Sequence, residues 1–316
     1  MVARVLDGPD RVDAALALLD RAETAAGSPL VDEAERARLQ ALAQGRARHG
    51  EHHHGVLARR GTVAVGYAGL VLPGTADDDR AVGDVAVARE HRPCGDTIHT
   101  LLGAMETLAG DHAADRMQVW IRHADPEDVR CAADAGYGVE RRLGVLGRDL
   151  TDLHEHDWGR DDADPLPVGW RLRSYVPGED DQAVVTLLRA AYAGTPEEGW
   201  EVADLVARTD YDWFAPEDLL LAQGEDGRLG GLHWTKRRGG KVGEVYNLAV
   251  APHARGGGLG ASLLHAGLHH LRDVGCTEVL LWVDLGNEPA VRLYTSQGFT
   301  TRWEDVALTR RIRPTG

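Results

Sequence analysis

Glu244-Val-Tyr-Asn-Leu-Ala-Val-Ala-Pro-His-Ala-Arg-Gly-Gly-Gly-Leu-Gly260 carries an apolar strand into a glycine-rich loop, and the loop opens directly into a helix. Glycines let successive backbone N–H groups turn inward, and the N-terminus of the following helix adds positive dipole potential. That geometry cradles a pyrophosphate. A plain strand-to-helix turn has the same outline, so the loop must be read with its surroundings. No Lys-Ser or Lys-Thr follows the glycines, which excludes a Walker A loop. The six-residue dinucleotide fingerprint is also missing, as is its acidic partner about 20 positions on.

The same order of elements occurs earlier in the chain. Val85-Ala86-Val87-Ala88, then Arg92-Pro93-Cys94-Gly95-Asp96-Thr97, then an amphipathic run Ile98–Ala109 parallel Leu248-Ala249-Val250-Ala251, Arg255–Gly260 and Ala261–Leu271. The offset is 163 residues in both leading pieces (248 − 85 and 255 − 92). Later, Arg130 aligns with Arg292, Gly136 with Gly298 and Tyr137 with Phe299, at an offset of 162. Self-similarity at a near-constant period marks a duplicated domain. Residues 149–167 are rich in Asp, His, Gly and Pro, a linker composition. The expected organisation is therefore an N-terminal domain over 1–150, a linker over 151–167 and a C-terminal domain over 168–316.

In the second copy, Trp170–Tyr175 alternates as a strand and Asp180–Tyr192 is periodic as a helix. Leu219–Ala222 and Leu229–Thr235 read as strands, Lys236–Gly243 as a polar turn, and Glu244–Ala251 and Glu278–Asp284 as further strands. The fold class is α/β of the α+β type with a mixed sheet, its early strands antiparallel and its close strand-helix-strand-helix.

Fifty acidic against 35 basic residues give a formal net charge of −15, which argues against nucleic acid as the main partner. A cationic or sugar-like small molecule suits that balance better, although most surface charge serves solubility. No stretch approaches the roughly 18 apolar residues of a membrane span. Cys94, Cys131 and Cys276 are sparse and odd in number, as suits a reducing cytoplasm. A cytoplasmic monomer is expected. His52-His53-His54 lacks the spacing that would put two rings on one helical face, so it reads as a solvated loop or helix end and no metal is expected.

Arg255-Gly256-Gly257-Gly258-Leu259-Gly260 matches Arg/Gln-x-x-Gly-x-Gly, and Asp284-Leu-Gly-Asn287-Glu-Pro-Ala-Val-Arg292-Leu-Tyr294-Thr-Ser-Gln-Gly298-Phe299 is a second signature. In both, the chain resembles the GCN5-related N-acetyltransferases (GNATs). That resemblance implies two tandem GNAT-fold domains and acetyl-CoA as co-substrate. It places the coenzyme against Leu248, Ala249, Val250, Arg255, Gly256, Gly257, Gly258, Leu259, Gly260, Ala261, Asn287 and Arg292. A backbone N–H near Leu248–Val250 would polarise the thioester carbonyl. Glu244 is the candidate base or ammonium-binding group, the plain alternative being a surface carboxylate. Tyr294 is the candidate acid for the departing thiolate, the plain alternative being a core aromatic. Subtracting the repeat offset sets Glu244 opposite Ala81 (244 − 163) and Tyr294 opposite Ala132 (294 − 162). Gly260 falls opposite Thr97, and Pro93 removes a loop N–H. The first copy is therefore expected to be non-catalytic, with a second, non-reacting acetyl-CoA as its most it could hold.

Across nearly the whole chain the resemblance extends to the mycothiol synthases, through Gly231–Lys236, Gly243–Tyr246, Gly267–Leu271 and Thr195–Trp200. It implies acetyl transfer to the cysteinyl amine of a glucosaminyl-inositol conjugate, with Glu33, Glu197, Lys236, Glu244 and Trp282 at the acceptor. Trp282 stands where that family usually has tyrosine, and Tyr246-Asn247-Leu248-Ala249-Val250 replaces its usual Tyr-Val-x-Gly-Val. Another small amine, such as an aminoglycoside or a peptide N-terminus, stays open as acceptor, as does a non-catalytic acyl-CoA sensor.

Overall fold

A computed structural model describes residues 1–46, 52–73, 80–88, 90, 95–112, 114–153 and 166–312. Along the chain the elements begin with β1 (Val2–Val5), α1 (Pro9–Ala26), α2 (Glu33–Ala43), β2 (His53–Arg60), β3 (Val63–Val71) and β4 (Arg80–Val87). They continue with α3 (Gly95–Asp111), β5 (Arg116–Ile121), α4 (Pro126–Asp134) and β6 (Gly138–Asp149). The second run is β7 (Trp170–Ser174), α5 (Asp181–Ala191), α6 (Val202–Thr209), β8 (Leu219–Gly224), β9 (Leu229–Arg237) and β10 (Val242–Val250). It closes with α7 (Leu259–Asp273), β11 (Glu278–Asp284), α8 (Glu288–Ser296) and β12 (Thr300–Arg311).

Two compact units result. Unit 1 comprises Met1–Gly144, Asp284–Gly286 and Trp303–Gly316, and unit 2 comprises Val145–Val283 and Asn287–Arg302. The chain thus passes between units inside β6, on either side of Asp284–Gly286, and inside β12. In unit 1 the strand order runs β1-β2-β3-β4-β5-β12, with β4 and β5 parallel and the other pairs antiparallel. In unit 2 it runs β11-β10-β9-β8-β7, with only β10 and β11 parallel.

Apolar spacing explains which faces are covered. Val12, Ala15, Leu18, Leu19 and Ala22 recur every three or four residues on α1 and are buried against Leu57 and Tyr67. Leu263, Leu264, Leu268 and Leu271 form the corresponding stripe on α7, which packs on β9 and β10. Each such leucine contributes about 1.5–3 kcal/mol on burial. Gly267 lets α7 approach β9 closely, because a Cβ there would lie 2.1 Å from the His233 ring. His233 Nδ1 lies 2.8 Å from the Leu263 carbonyl, and full burial pushes its imidazole down to about 4.

Several expectations shift. Lys236, read as part of a polar turn, belongs to β9 and is 6% exposed, since β9 runs on to Arg237. His53 and His54 open strand β2 instead of lying in a loop or helix end, and the His54 ring lies 5.3 Å from that of His112. The first-copy loop residues Arg92, Pro93 and Cys94, and 154–165 of the linker, lie outside the described residues.

Candidate active site

The site begins with an irregularity in β10. Val245 pairs with Thr235 and Asn247 with Trp234, so Tyr246 is an extra residue, a β-bulge that bends the strand. On its other edge β10 pairs with β11 at Val242–Glu278, Gly243–Val279 and Glu244–Leu280. The pairing stops there, and the two strands part at the bulge. Ala251 N–H donates to the Gly230 carbonyl of β9. Because hydrogen-bonding sides alternate along a strand, the amides of Leu248 and Val250 turn away from β9, towards the edge that β11 has left. A parallel pair that opens this way offers unsatisfied backbone donors to a ligand.

The glycine loop lies at the end of the same strand. A short turn, Pro252–Ala254, is followed by Arg255, whose guanidinium donates to the carbonyls of Val250 (3.2 Å) and Ala191 (3.0 Å). Arg255 thereby ties the loop to the strand and to the residue that ends α5. Gly256 and Gly258 have φ of 87° and 82°, the left-handed region where a side chain is strained. A Cβ at Gly256, Gly257 or Gly258 would meet nothing within 4 Å, so the loop faces open space. Leu259 anchors the first turn of α7 in the core, and Gly260 and Ala261 carry the next N–H groups, which have no intrahelical partner. Positive-φ glycines, open space and a helix N-terminus together fit a pyrophosphate.

Glu244 lies directly opposite Lys236 across the β9–β10 pair and is 8% exposed. Arg238 Nη1 donates to its Oε2 at 2.6 Å. The Arg238 guanidinium also covers the Trp282 ring, 4.9 Å from the centroid. Lys236 Nζ is held over Trp213 at 4.4 Å and Tyr246 at 5.5 Å. Arg208 Nε donates to the Tyr246 hydroxyl at 3.0 Å, so the bulge residue joins both cations. Tyr294, on α8, is 8% exposed, with its ring edge-on to Phe299 at 5.7 Å. Burial, with Tyr192 as a further neighbour, holds its phenol well above the ordinary value, so it keeps its proton at neutral pH. Tyr192 in turn donates to Asn247 Oδ1 at 3.2 Å.

Structure therefore brings Glu244, Lys236 and Trp282 into one part of unit 2. Asn287 caps α8, its side chain accepting from Ala290 N–H at 3.2 Å, and Arg292 pairs with Glu288 on the exposed face of that helix. Glu197 falls in the turn Pro196–Gly199, and its side chain is not among those described. Glu33 is the first residue of α2, in unit 1. Sequence reading missed Arg238, Trp213 and Tyr192. The one available signal was the place of Arg238 two residues after Lys236, where the chain leaves β9 for β10. A cavity of about 430 Å³ beside Trp170, Arg171 and Glu225 holds none of these groups. Among the described residues there is no cluster suited to a metal, and no helix is long and apolar enough to cross a membrane.

Unit 1 differs in its strand pairing. Its β3–β4 pairing runs from Gly66–Val87 to Val71–Val82 without a shift, so no bulge interrupts it. Its β4–β5 pairing continues to Asp84–Trp120. Both parallel ladders pair residues 36 apart (280 − 244 and 118 − 82), so once Trp282 is set against Trp120, at the offset of 162 that Arg292 and Arg130 share, Glu244–Leu280 falls on Val82–Gln118. The counterpart of Glu244 is thus Val82 instead of Ala81, still without a carboxylate, because the bulge adds one residue to the second copy. Asp84 is buried there, accepting from Asp32 N–H and Arg122 Nε, each at 3.1 Å, and burial pushes its carboxyl up to about 6.

Comparison with known proteins identifies the family. Residues 182–299 match the acetyltransferase (GNAT) family. A mycothiol acetyltransferase of Actinosynnema mirum is 39% identical over 298 residues, 94% of each chain. One of Streptomyces avermitilis is 36% identical over 306 residues, 94% of this chain and 91% of the relative. Among solved structures, a GCN5-related N-acetyltransferase of Sphaerobacter thermophilus superposes with a TM-score of 0.71 at 23% identity, covering 99% of this chain and 96% of the other. A tandem GNAT protein from the clavulanic acid biosynthesis pathway gives 0.71 at 18% identity, over 100% and 99%. These two likenesses speak for the fold.

Proposed function

The chain belongs to the mycothiol acetyltransferases of the GNAT family, and we propose that unit 2 transfers acetyl from acetyl-CoA to the cysteinyl amine of cysteinyl-glucosaminyl-inositol, forming mycothiol. The observation that carries this reading is the parting of β10 from β11 immediately after Glu244, beside the glycine loop. In this reading acetyl-CoA supplies the activated acyl group. The backbone of Gly256–Gly260 and Ala261 would hold its pyrophosphate, with Asn287 and Arg292 bordering the coenzyme. The outward amides of Leu248 and Val250, flanking Ala249, are donors for the carbonyl oxygen that becomes negative during acyl transfer. Glu244 takes up the ammonium and its proton. Tyr294 hands its proton to the departing sulfur. Lys236 and Glu197 meet the hydroxyls of the sugar and inositol, and Trp282 shapes the amine end.

Unit 1 is read as non-catalytic, with Val82 and Ala132 at the positions of Glu244 and Tyr294. A second, non-reacting acetyl-CoA there is a matter of stoichiometry, which calorimetric titration with coenzyme counts directly. We further read the protein as a cytoplasmic monomer that takes no nucleic acid. Free, buried Cys131 and Cys276 suit a reducing compartment.

The deciding experiment is coenzyme A release with the pseudodisaccharide acceptor beside free cysteine, glucosamine and an aminoglycoside. Strong preference for the pseudodisaccharide is expected. Preference for another amine would move the acceptor assignment, and no release with any amine would point to a sensor. At the cradle, Gly258→Val forces a branched side chain into left-handed backbone. It is expected to weaken acetyl-CoA about tenfold, the equivalent of roughly 1–2 kcal/mol of strain, with kcat at saturation little changed. An unchanged coenzyme KM would remove the loop from the binding site.

A further inference from the structure

Arg238 belongs to no motif, yet it holds the carboxylate on which the proposed chemistry turns. Its 2.6 Å bond to Glu244 Oε2 has the length of a charge-assisted hydrogen bond. The two side chains are 25% and 10% exposed, so water screens the pair only in part. Register explains the meeting. Lys236 faces Glu244 across the antiparallel pair, and Leu280 lies beside Glu244 across the parallel one. Trp282 stands two residues beyond Leu280 on β11, on the same sheet face, and Arg238 is the first residue past β9, its N–H donating to the Val242 carbonyl of β10 at 3.0 Å. Trp282 then offers its ring to the guanidinium at 4.9 Å.

We propose that Arg238 is a positioning and specificity-determining residue for the transfer, with Trp282 as the platform that aims it. This rests on the reading that Glu244 receives the acceptor's amine. By holding Oε2, Arg238 fixes the plane of the carboxylate that the ammonium meets. It also sets the charge at that place. Two cations, Lys236 on β9 and Arg238 just past its end, flank one anion, Glu244 on β10. An acceptor with a single ammonium among hydroxyls replaces part of the carboxylate's pairing at little cost. An acceptor with several ammonium groups meets repulsion from both cations, which is specificity by exclusion. The class of substrate selected is a polyhydroxylated monoamine.

The test compares wild type, Arg238→Ala and Arg238→Lys on the pseudodisaccharide and on an aminoglycoside with several amines, with acetyl-CoA affinity measured in parallel. Arg238→Ala is expected to lower kcat on the monoamine about 10- to 100-fold, the effect of losing one charged hydrogen bond. Acetyl-CoA affinity stays unchanged, which also certifies the fold. The ratio of kcat/KM for the polyamine to that for the monoamine rises about tenfold, the scale of one nearby charge, and Arg238→Lys restores part of both effects. Activity and acceptor preference both within twofold of wild type in Arg238→Ala would overturn the proposal. Glu244→Gln, run alongside, separates the two ideas. An inactive Glu244→Gln beside an unaltered Arg238→Ala sinks only the role of Arg238, whereas a fully active Glu244→Gln sinks the reading beneath it.

Discussion

Glu244→Gln is expected to lower kcat by about 10²- to 10⁴-fold, the range typical of a positioned acid or base. The substitution keeps shape and volume. In the proposed role it removes the negative charge that would draw the ammonium and the oxygen that would take its proton, and it leaves Arg238 beside a neutral amide. The glycine loop and the outward amides of β10 are untouched, so acetyl-CoA should bind as before. The pH dependence gives the sign. An α-amino group has an ordinary pKa of about 7.7–8.0, so below that range the acceptor arrives charged and must lose a proton. The deficit should therefore be largest near neutral pH and shrink above about pH 9, where the amine arrives neutral. Initial rates of coenzyme A release across that range are the measurement. A variant within about fivefold of wild type at neutral pH has lost nothing that a base at the usual 10²-fold scale would supply.

Tyr294→Phe should reduce turnover by about 10²-fold while leaving acetyl-CoA affinity nearly intact. Phenylalanine retains the ring that packs edge-on against Phe299 and removes only the oxygen. Burial keeps that oxygen protonated far above neutral pH, so wild type should show no basic limb from this group across the working range. Single-turnover and steady-state rates distinguish the roles. A lowered kcat with an unchanged melting temperature assigns the proton to the leaving sulfur. An unchanged kcat returns Tyr294 to the core as a packing aromatic.

Much of the molecule was readable from local pattern. Asp180–Tyr192 was expected as a helix and is α5 over Asp181–Ala191, with Val184, Val185, Leu187 and Leu188 buried. Glu278–Asp284 is β11 at both ends. The glycine loop lies between a strand and a helix, because residues with positive φ and no side chain announce themselves in sequence. Less readable was the meaning of the repeat's uneven offset. Setting Trp282 against Trp120 gives 162 on β11, and the equal ladder separation carries that value to Val242 against Arg80, but the offset is 163 at Leu248 against Val85. The difference on β10 is Tyr246, a single extra residue that opens the strand pair in one copy only.

By itself, the sequence determined that this is a duplicated mixed-sheet acyltransferase, that its second copy carries the glycine-rich loop between a strand and a helix, and that Glu244 and Tyr294 have no equivalents in the first. Those features are local: periods of two and 3.6 residues, glycines at fixed steps, and motif spacing. Tertiary structure alone decided that Lys236 is buried, that Arg238 meets Glu244 over Trp282, and that Val306–Arg311 of the last strand pairs with Arg116–Ile121. Each of these joins residues through strand register or through the choice of a strand partner. Any strand edge presents the same backbone donors and acceptors, so the choice is made by how the apolar faces pack around it.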